Sequence, residues 1–205
     1  MATKNGIIKK SDLSAYANPR SNGIRAINLD DDDELISVVI TDGQRDLFLM
    51  SRQGKCIRVR EDEFRPLGRV SRGIRGMNVK GSELVGMDVI DPQKCMLVAT
   101  EKGFGKRTSE ENYRCQGRGG QGVLNIKVTE RNGHVIGFRQ VGEDNGIMLI
   151  TDGGRLIRMP VAQISKIGRV TQGVKLIDLA EGEKVVDLTV LEETEDTRED
   201  TREEE

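Results

Sequence analysis

The chain has 205 residues, of which 36% are hydrophobic, 32% charged and 3% aromatic, with 24 glycines, four prolines and no tryptophan. That apolar content can build a core and excludes wholesale disorder, while no run reaches the roughly 20 apolar residues of a membrane-spanning helix. The formal charge of −2 hides two unlike parts: Glu192 to Glu205 carries nine acidic and two basic residues, a net of −7, which leaves +5 on residues 1–191.

In chain order, MATKNGIIKKSDL lacks the apolar stretch and cleavage site of a secretion signal, so a cytoplasmic protein with no membrane partner is expected. From Thr3 a pattern begins that returns three times: TKNGIIKK, SRQGKCIR from Ser51, TEKGFGKR from Thr100 and TDGGRLIR from Thr151. Their aligned glycines, Gly6, Gly54, Gly103 and Gly154, lie 48, 49 and 51 residues apart. A second landmark, glycine before a β-branched residue, keeps the same period at Gly23-Ile24, Gly73-Ile74, Gly122-Val123 and Gly173-Val174. A fixed period of this length signals a repeat architecture.

Short β-branched runs fill each unit and read as strands: DLFLM, CIRVR and ELVGMDVI in the second, CMLVAT, VLNIKV and HVIGF in the third, IMLIT, LIRM, VKLIDL and VVDLTVL in the fourth. The stretches SDLSAY, REDEFR, SEENYR and PVAQIS are polar with one or two apolar anchors and predict loops or single helical turns. Asn5-Gly6, Asp42-Gly43, Asn132-Gly133 and Asp152-Gly153 are hairpin signals. The expected fold is all-β, a propeller-like repeat of about four blades, each a small four-stranded antiparallel sheet, in units of about 1–45, 46–93, 94–144 and 145–191. An acidic disordered tail, 192–205, follows. The first unit has only Met1-Ala2 before Thr3 and is expected to lack its leading strand. Either VVDLTVL closes a ring by pairing with the first unit, or the chain is the back end of a longer, open array.

Basic residues recur in the repeat frame. Four positions after the first glycine stand Lys10, Arg58, Arg107 and Arg158; four before the second stand Arg69, Arg118 and Arg169, with Arg20 one place nearer in the first unit. The loops LGRVSRG, QGRGGQG and IGRVTQG join an arginine to flanking glycines, as a phosphate-tracking loop requires. Lys9, Arg60, Arg72, Arg75 and Lys106 add charge. No aromatic residues interleave the arginines, so duplex backbone is a better ligand than stacked single strands. The candidate DNA contacts are Lys10, Arg20, Arg58, Arg69, Arg72, Lys106, Arg107, Arg118, Arg158 and Arg169. Exposed strands also carry basic residues merely to keep their edges soluble.

Catalytic inventory is poor. The single histidine, His134, sits in a hairpin turn, and the run Asp30 to Asp33 lacks the glycine and terminal glutamate of a calcium loop. GRGGQG ends without the Lys-Ser/Thr of a nucleotide-binding loop. The cysteines Cys56, Cys95 and Cys115 are too widely spaced for a CxxC zinc or redox motif and read as reduced thiols. No catalytic residue, metal or cofactor is expected.

The stretches ATEKGFGKRT, GVLNIKVTERNGHVIG, IMLITDGGRLIRM and ISKIGRVTQGVKLI resemble, in order, the late repeats of the C-terminal DNA-wrapping domain of DNA gyrase A. That resemblance implies a β-pinwheel with strands exchanged between neighbouring blades, the four units matching blades three to six of six. It implies duplex DNA as ligand, the rest of gyrase A together with gyrase B as partners, and a non-catalytic part in supercoiling. The family's QRRGGKG box belongs to its first blade; QGRGGQG lies in the third unit here, with Gln121 in place of lysine. Tyr16 and Tyr113 occupy loop positions and do not match the family's cleavage tyrosine. Two other readings stand beside this one: the related topoisomerase IV domain, and a protein-interaction propeller with a basic rim.

Overall fold

A computed structural model describes residues 1–192; the acidic segment beyond Glu192 lies outside the described residues. Each hairpin is built on one turn, whose chemistry explains the Thr/Ser-x-x-Gly signature. The glycine amide donates to the carbonyl three residues back, Gly6 to Thr3, Gly54 to Ser51, Gly103 to Thr100 and Gly154 to Thr151, at 2.9 to 3.0 Å. All four glycines have φ between 76° and 84°, the left-handed region that closes a three-residue hairpin loop. The buried hydroxyl of Thr3, Ser51 or Thr151 accepts the amide of the residue after that glycine, at 3.1 to 3.2 Å. In TDGG the positive φ falls on Gly154 and not on Gly153.

The strands are β1 (Ala2–Thr3), β2 (Ile7–Ile8), β3 (Leu35–Ser37), β4 (Asp46–Ser51), β5 (Lys55–Arg60), β6 (Ile74–Arg75), β7 (Leu84–Val89), β8 (Cys95–Thr100), β9 (Phe104–Ser109), β10 (Val123–Leu124), β11 (Val135–Val141), β12 (Gly146–Thr151), β13 (Leu156–Pro160), β14 (Val174–Lys175) and β15 (Val185–Leu191). Among the described residues the helical turns are four short 3-10 turns, at Leu13–Tyr16, Glu61–Glu63, Glu110–Asn112 and Val161–Gln163, in the polar stretches after each hairpin. Four antiparallel sheets result, ordered β3-β1-β2-β6, β10-β5-β4-β7, β11-β8-β9-β14 and β13-β12-β15. The fold is an all-β pinwheel.

One compact unit comprises Met1–Ile90 with Tyr113–Asn125 and holds the first two sheets; the other comprises Asp91–Asn112 with the chain from Ile126 and holds the last two. The first unit's core gathers Ile8, Leu47, Leu49, Ile57, Val59, Phe64 and Met77. Leu97, Ile147, Leu149, Val161, Ile164 and Leu188 centre that of the second. Alternation along β4 and β5 places these side chains inward, and each fully buried aliphatic side chain contributes about 1.5–3 kcal/mol.

Two expectations are corrected by the topology. The first unit does have a leading strand, the two-residue β1, because pairing Ala2 with both Ile8 and Ser37 needs only that length. The last strand, β15, pairs with β12 along its whole length. VLNIKV and VKLIDL give only two ladder residues each, β10 and β14, because the chain then turns toward the next loop. The first three sheets have four strands, the last of them lent by the following repeat, while the fourth has three among the described residues.

Candidate nucleic-acid interface

The lent strands hold the arginine loops in place. Gly73, Gly122 and Gly173 have φ of 111°, 70° and 78°, and a Cβ there would fall 2.7 Å from the Ile8 carbonyl, 2.1 Å from that of Cys56 and 2.7 Å from that of Gly105. Only glycine lets β6, β10 and β14 lie against β2, β5 and β9. The far end of each loop is tied by one equivalent hydrogen bond of 2.8 Å, Leu67 N to Lys10 O, Gln116 N to Arg58 O and Ile167 N to Arg107 O. A third bond catches the loop near its tip: Asn28 N to Ser71 O at 3.2 Å, Asn78 N to Gly120 O and Lys127 N to Thr171 O at 2.8 Å. The loops are thus braced at both ends and near the tip, which restricts the backbone that carries Arg69, Arg118 and Arg169.

Two of the loops also rest on a buried lysine. Lys9 is 1% exposed and donates to the carbonyls of Ala26 and Arg69, each at 2.5 Å. Lys106 is fully buried and donates to Gly168 O at 2.7 Å and Arg169 O at 2.6 Å. The same hairpin position in the second sheet is Ile57, against which Gly120 packs. Capping by backbone carbonyls is what makes a buried ammonium tolerable. Val70 and Val170, next to the loop arginines, are left 55% and 64% exposed.

The ten candidate contacts separate into two groups. Lys106 and Arg107 are buried, a correction of the expectation that they meet phosphate, and Lys10 and Arg58 are half-buried with internal partners. Lys10 Nζ reaches Glu61 O at 3.3 Å and the buried Glu61 carboxylate at 3.7 Å. Arg58 pairs with Asp46 at 2.7 Å and donates to Tyr113 O at 3.2 Å. Arg107, 5% exposed, donates Nε–H to Ile164 O at 2.7 Å and lies 2.7 Å from Glu143. Direct contact with that guanidinium, then its charge, holds the Glu143 carboxyl below its ordinary range. At this position the backbone anchors the next loop, and the side chain follows it inward.

Arg20, Arg72, Arg118 and Arg158 are exposed, and Arg69 and Arg169 half-buried. Within the first unit these loops contact one another in order. Arg69 Nη1 donates to Arg25 O at 2.5 Å, Arg118 Nη1 lies 3.5 Å from Arg75 O, and Gly119 N donates to Gly76 O at 2.6 Å. Arg20, Arg69, Arg72, Arg75 and Arg118 therefore sit on one run of connected loops. Arg72 is paired with Asp30, but that pair is half open to solvent. Asp33 accepts the amides of Asn5 and Glu34 at 2.9 Å, so the acidic turn caps the first hairpin. His134 Nδ1 lies 3.4 Å from Glu101 and its backbone amide donates to the same carboxylate. Tyr113, which sequence reasoning left in a loop, is 1% exposed; it packs edge-on against Phe48 and donates to Asn125 Oδ1 at 2.7 Å.

Sheets that borrow their outer strand from the next repeat, with braced arginine loops at each joint, define a strand-exchanged β-pinwheel with a basic loop surface. The chain belongs to the family of the DNA gyrase C-terminal domain, a β-propeller, whose model matches residues 1–42, 45–91, 96–141 and 147–192. The DNA gyrase A protein of Salmonella typhimurium is 45% identical over 200 residues, covering 97% of this chain and 23% of that protein. Its Pseudomonas aeruginosa counterpart is 45% identical over 194 residues, covering 94% and 21%. The chain thus spans less than a quarter of the length of these two relatives. A solved C-terminal domain of DNA topoisomerase IV superimposes with a TM-score of 0.87 at 28% identity, over 93% of this chain and 60% of that one. A gyrase A C-terminal domain shares the fold with a TM-score of 0.82 at 22% identity, over 93% and 64%.

Proposed function

We propose that the chain binds duplex DNA without sequence preference through Arg20, Arg69, Arg72, Arg118, Arg158 and Arg169, and bends it, as a non-catalytic part of DNA gyrase. The observation that carries this reading is the threefold bracing of the loops that hold Arg69, Arg118 and Arg169. A guanidinium on a fixed backbone loses less conformational entropy on meeting a phosphate than one on a free loop. Among the described residues no helix longer than a 3-10 turn accompanies these arginines to read base edges, so contacts to the backbone position the duplex and carry no sequence information. Bending some tens of base pairs costs on the order of 1–10 kcal/mol, which requires several contacts acting along one duplex. Lys10, Arg58, Lys106 and Arg107 serve this function as framework. In the holoenzyme the partners would be the rest of gyrase A together with gyrase B, in the bacterial cytoplasm. Cleavage and ATP chemistry would lie with those partners.

Fluorescence anisotropy with two duplexes of unrelated sequence and one single strand of equal length tests the reading. Equal affinity for the duplexes and weaker binding of the single strand are expected. Strong preference for one duplex, or for the single strand, would overturn it.

A further inference from the structure

Two of the three braced arginine loops carry an aliphatic side chain at the tip. Val70 stands between Arg69 and Ser71 and is 55% exposed; Val170 holds the same place between Arg169 and Thr171 and is 64% exposed. In each loop the peptide carbonyls on both sides of the valine are held. Lys9 Nζ donates to Arg69 O at 2.5 Å and Asn28 N to Ser71 O at 3.2 Å. Lys106 Nζ donates to Arg169 O at 2.6 Å and Lys127 N to Thr171 O at 2.8 Å. The turn inside each loop is closed as well, Ser71 N to Gly68 O at 3.0 Å and Thr171 N to Arg169 O at 2.9 Å.

The third loop differs at both places together. Gly119 stands where the other two have valine, and Ile57 where they have the buried lysine. In these three loops the buried ammonium, costly to desolvate, goes with a valine at the tip, and neither occurs without the other. Valine is stiff at χ1, so on a fixed backbone it presents its two methyl groups in one direction with little entropy left to lose on contact. Folding gains nothing from leaving those methyl groups in water.

On the reading that Arg69 and Arg169 meet duplex phosphates, we propose that Val70 and Val170 are DNA contacts of a second kind, each pressing its methyl groups against the deoxyribose wall of the minor groove beside the phosphate that the neighbouring arginine holds. Charge and chemistry agree on that occupant. The guanidinium one residue away attracts a polyanion, and what a duplex offers next to its phosphate oxygens is the apolar edge of the sugar. Every nucleotide carries that edge, so the contact adds affinity without sequence preference. Apolar side chains that enter the minor groove also bend the duplex, so the valines contribute to the bend as well as to the affinity.

Val70→Thr and Val170→Thr, made singly in the full 205-residue chain, test this. Each keeps the branched shape and replaces one methyl by a hydroxyl at an exposed position, so the melting temperature should stay that of the wild type. Fluorescence anisotropy should show duplex binding weakened by about three- to fivefold in each, the size expected for leaving the exposed half of a valine in water. The slope of log affinity against log salt concentration should not change, because a sugar contact releases no counterion. Energy transfer between dyes at the two ends of the duplex should report a smaller bend. Val186→Thr, at a site 53% exposed on β15 and outside the loops, is the control and should alter neither affinity nor bend. Threonine variants of the loops with wild-type affinity and bend overturn the inference and leave the arginine contacts standing. A flattened salt slope overturns it too, since the substitution then acts through the adjacent arginine, and so does an equal loss in Val186→Thr. A wild-type chain that binds no duplex overturns the reading beneath it.

Discussion

Replacing Lys106 by methionine isolates the device that holds the Arg169 loop. Methionine keeps the length of the side chain and fills the same space, but removes both hydrogen bonds, to Gly168 O at 2.7 Å and Arg169 O at 2.6 Å, from a residue with no exposed surface. Gly168 O losing its charged partner costs about 1–3 kcal/mol, and Arg169 O loses the ammonium but keeps the Thr171 amide at 2.9 Å. Relief from burying an ammonium offsets part of this. A net loss of about 1–3 kcal/mol follows, a fall in melting temperature of roughly 2–12 °C for a domain of this size. Thermal unfolding by circular dichroism measures it, and amide exchange across Gly168–Gly173 reports whether the loop has been released. Ile57→Met, at the same position of the second sheet, is the control and should cost no more than about 1.5 kcal/mol. A Lys106→Met protein with wild-type melting temperature and unchanged exchange in the loop would refute the assignment of Lys106 as its support.

Two further outcomes follow from the structure. Gly122→Ala drives a methyl into the Cys56 carbonyl at a positive φ and should cost about 3 kcal/mol or more. Gly182→Ala, at φ 79° with nothing within 4 Å, should cost only about 1–2 kcal/mol; equal denaturation midpoints for the two would mean that the close approach of β10 to β5 is unimportant. The Glu183 carboxylate accepts the Thr151 hydroxyl at 2.6 Å and the Ala180 amide at 2.8 Å and pairs with Arg155 at 2.9 Å, which holds its carboxyl below the ordinary range. Its stabilising effect is therefore present above the pKa of an unfolded glutamate and lost as pH falls through the lower folded value. Glu183→Gln should melt lower than wild type at neutral pH and lose less on acidification; parallel melting curves down the pH scale would contradict this.

The hairpins were legible because their determinants are local. Thr or Ser three residues before a glycine closes the turn with its own hydroxyl, and short apolar runs mark the strands, with β4 buried along five consecutive residues. The polar stretches after each hairpin gave the single helical turns expected of them. What local sequence did not show was the direction of the basic side chains. Lys106 and Arg107 look like surface residues in a strand, and only the next repeat's carbonyls, some 60 residues along, draw them inward. A signal for Lys9 and Lys106 did exist: the same repeat position holds Ile57 and Ile157, and a position that alternates lysine with isoleucine faces the interior. Tyr113 was missed for a related reason, since its burial depends on Phe48 from the preceding repeat and on Asn125 beyond the loop. The exposure of Arg158 was equally hidden, because it holds the same repeat position as Arg58 and Arg107, yet among the described residues no strand lies on the outer side of β13.

The salt dependence of duplex binding tests the DNA assignment most directly. With six arginines on phosphate, the logarithm of the binding constant should fall with the logarithm of salt concentration at a slope near −5, by about 0.9 per contact. Changing Arg69, Arg118 and Arg169 together to alanine, in a protein that keeps its fold, should flatten the slope to roughly −3 and weaken binding at every salt concentration. An unchanged slope and affinity in that variant would contradict the account.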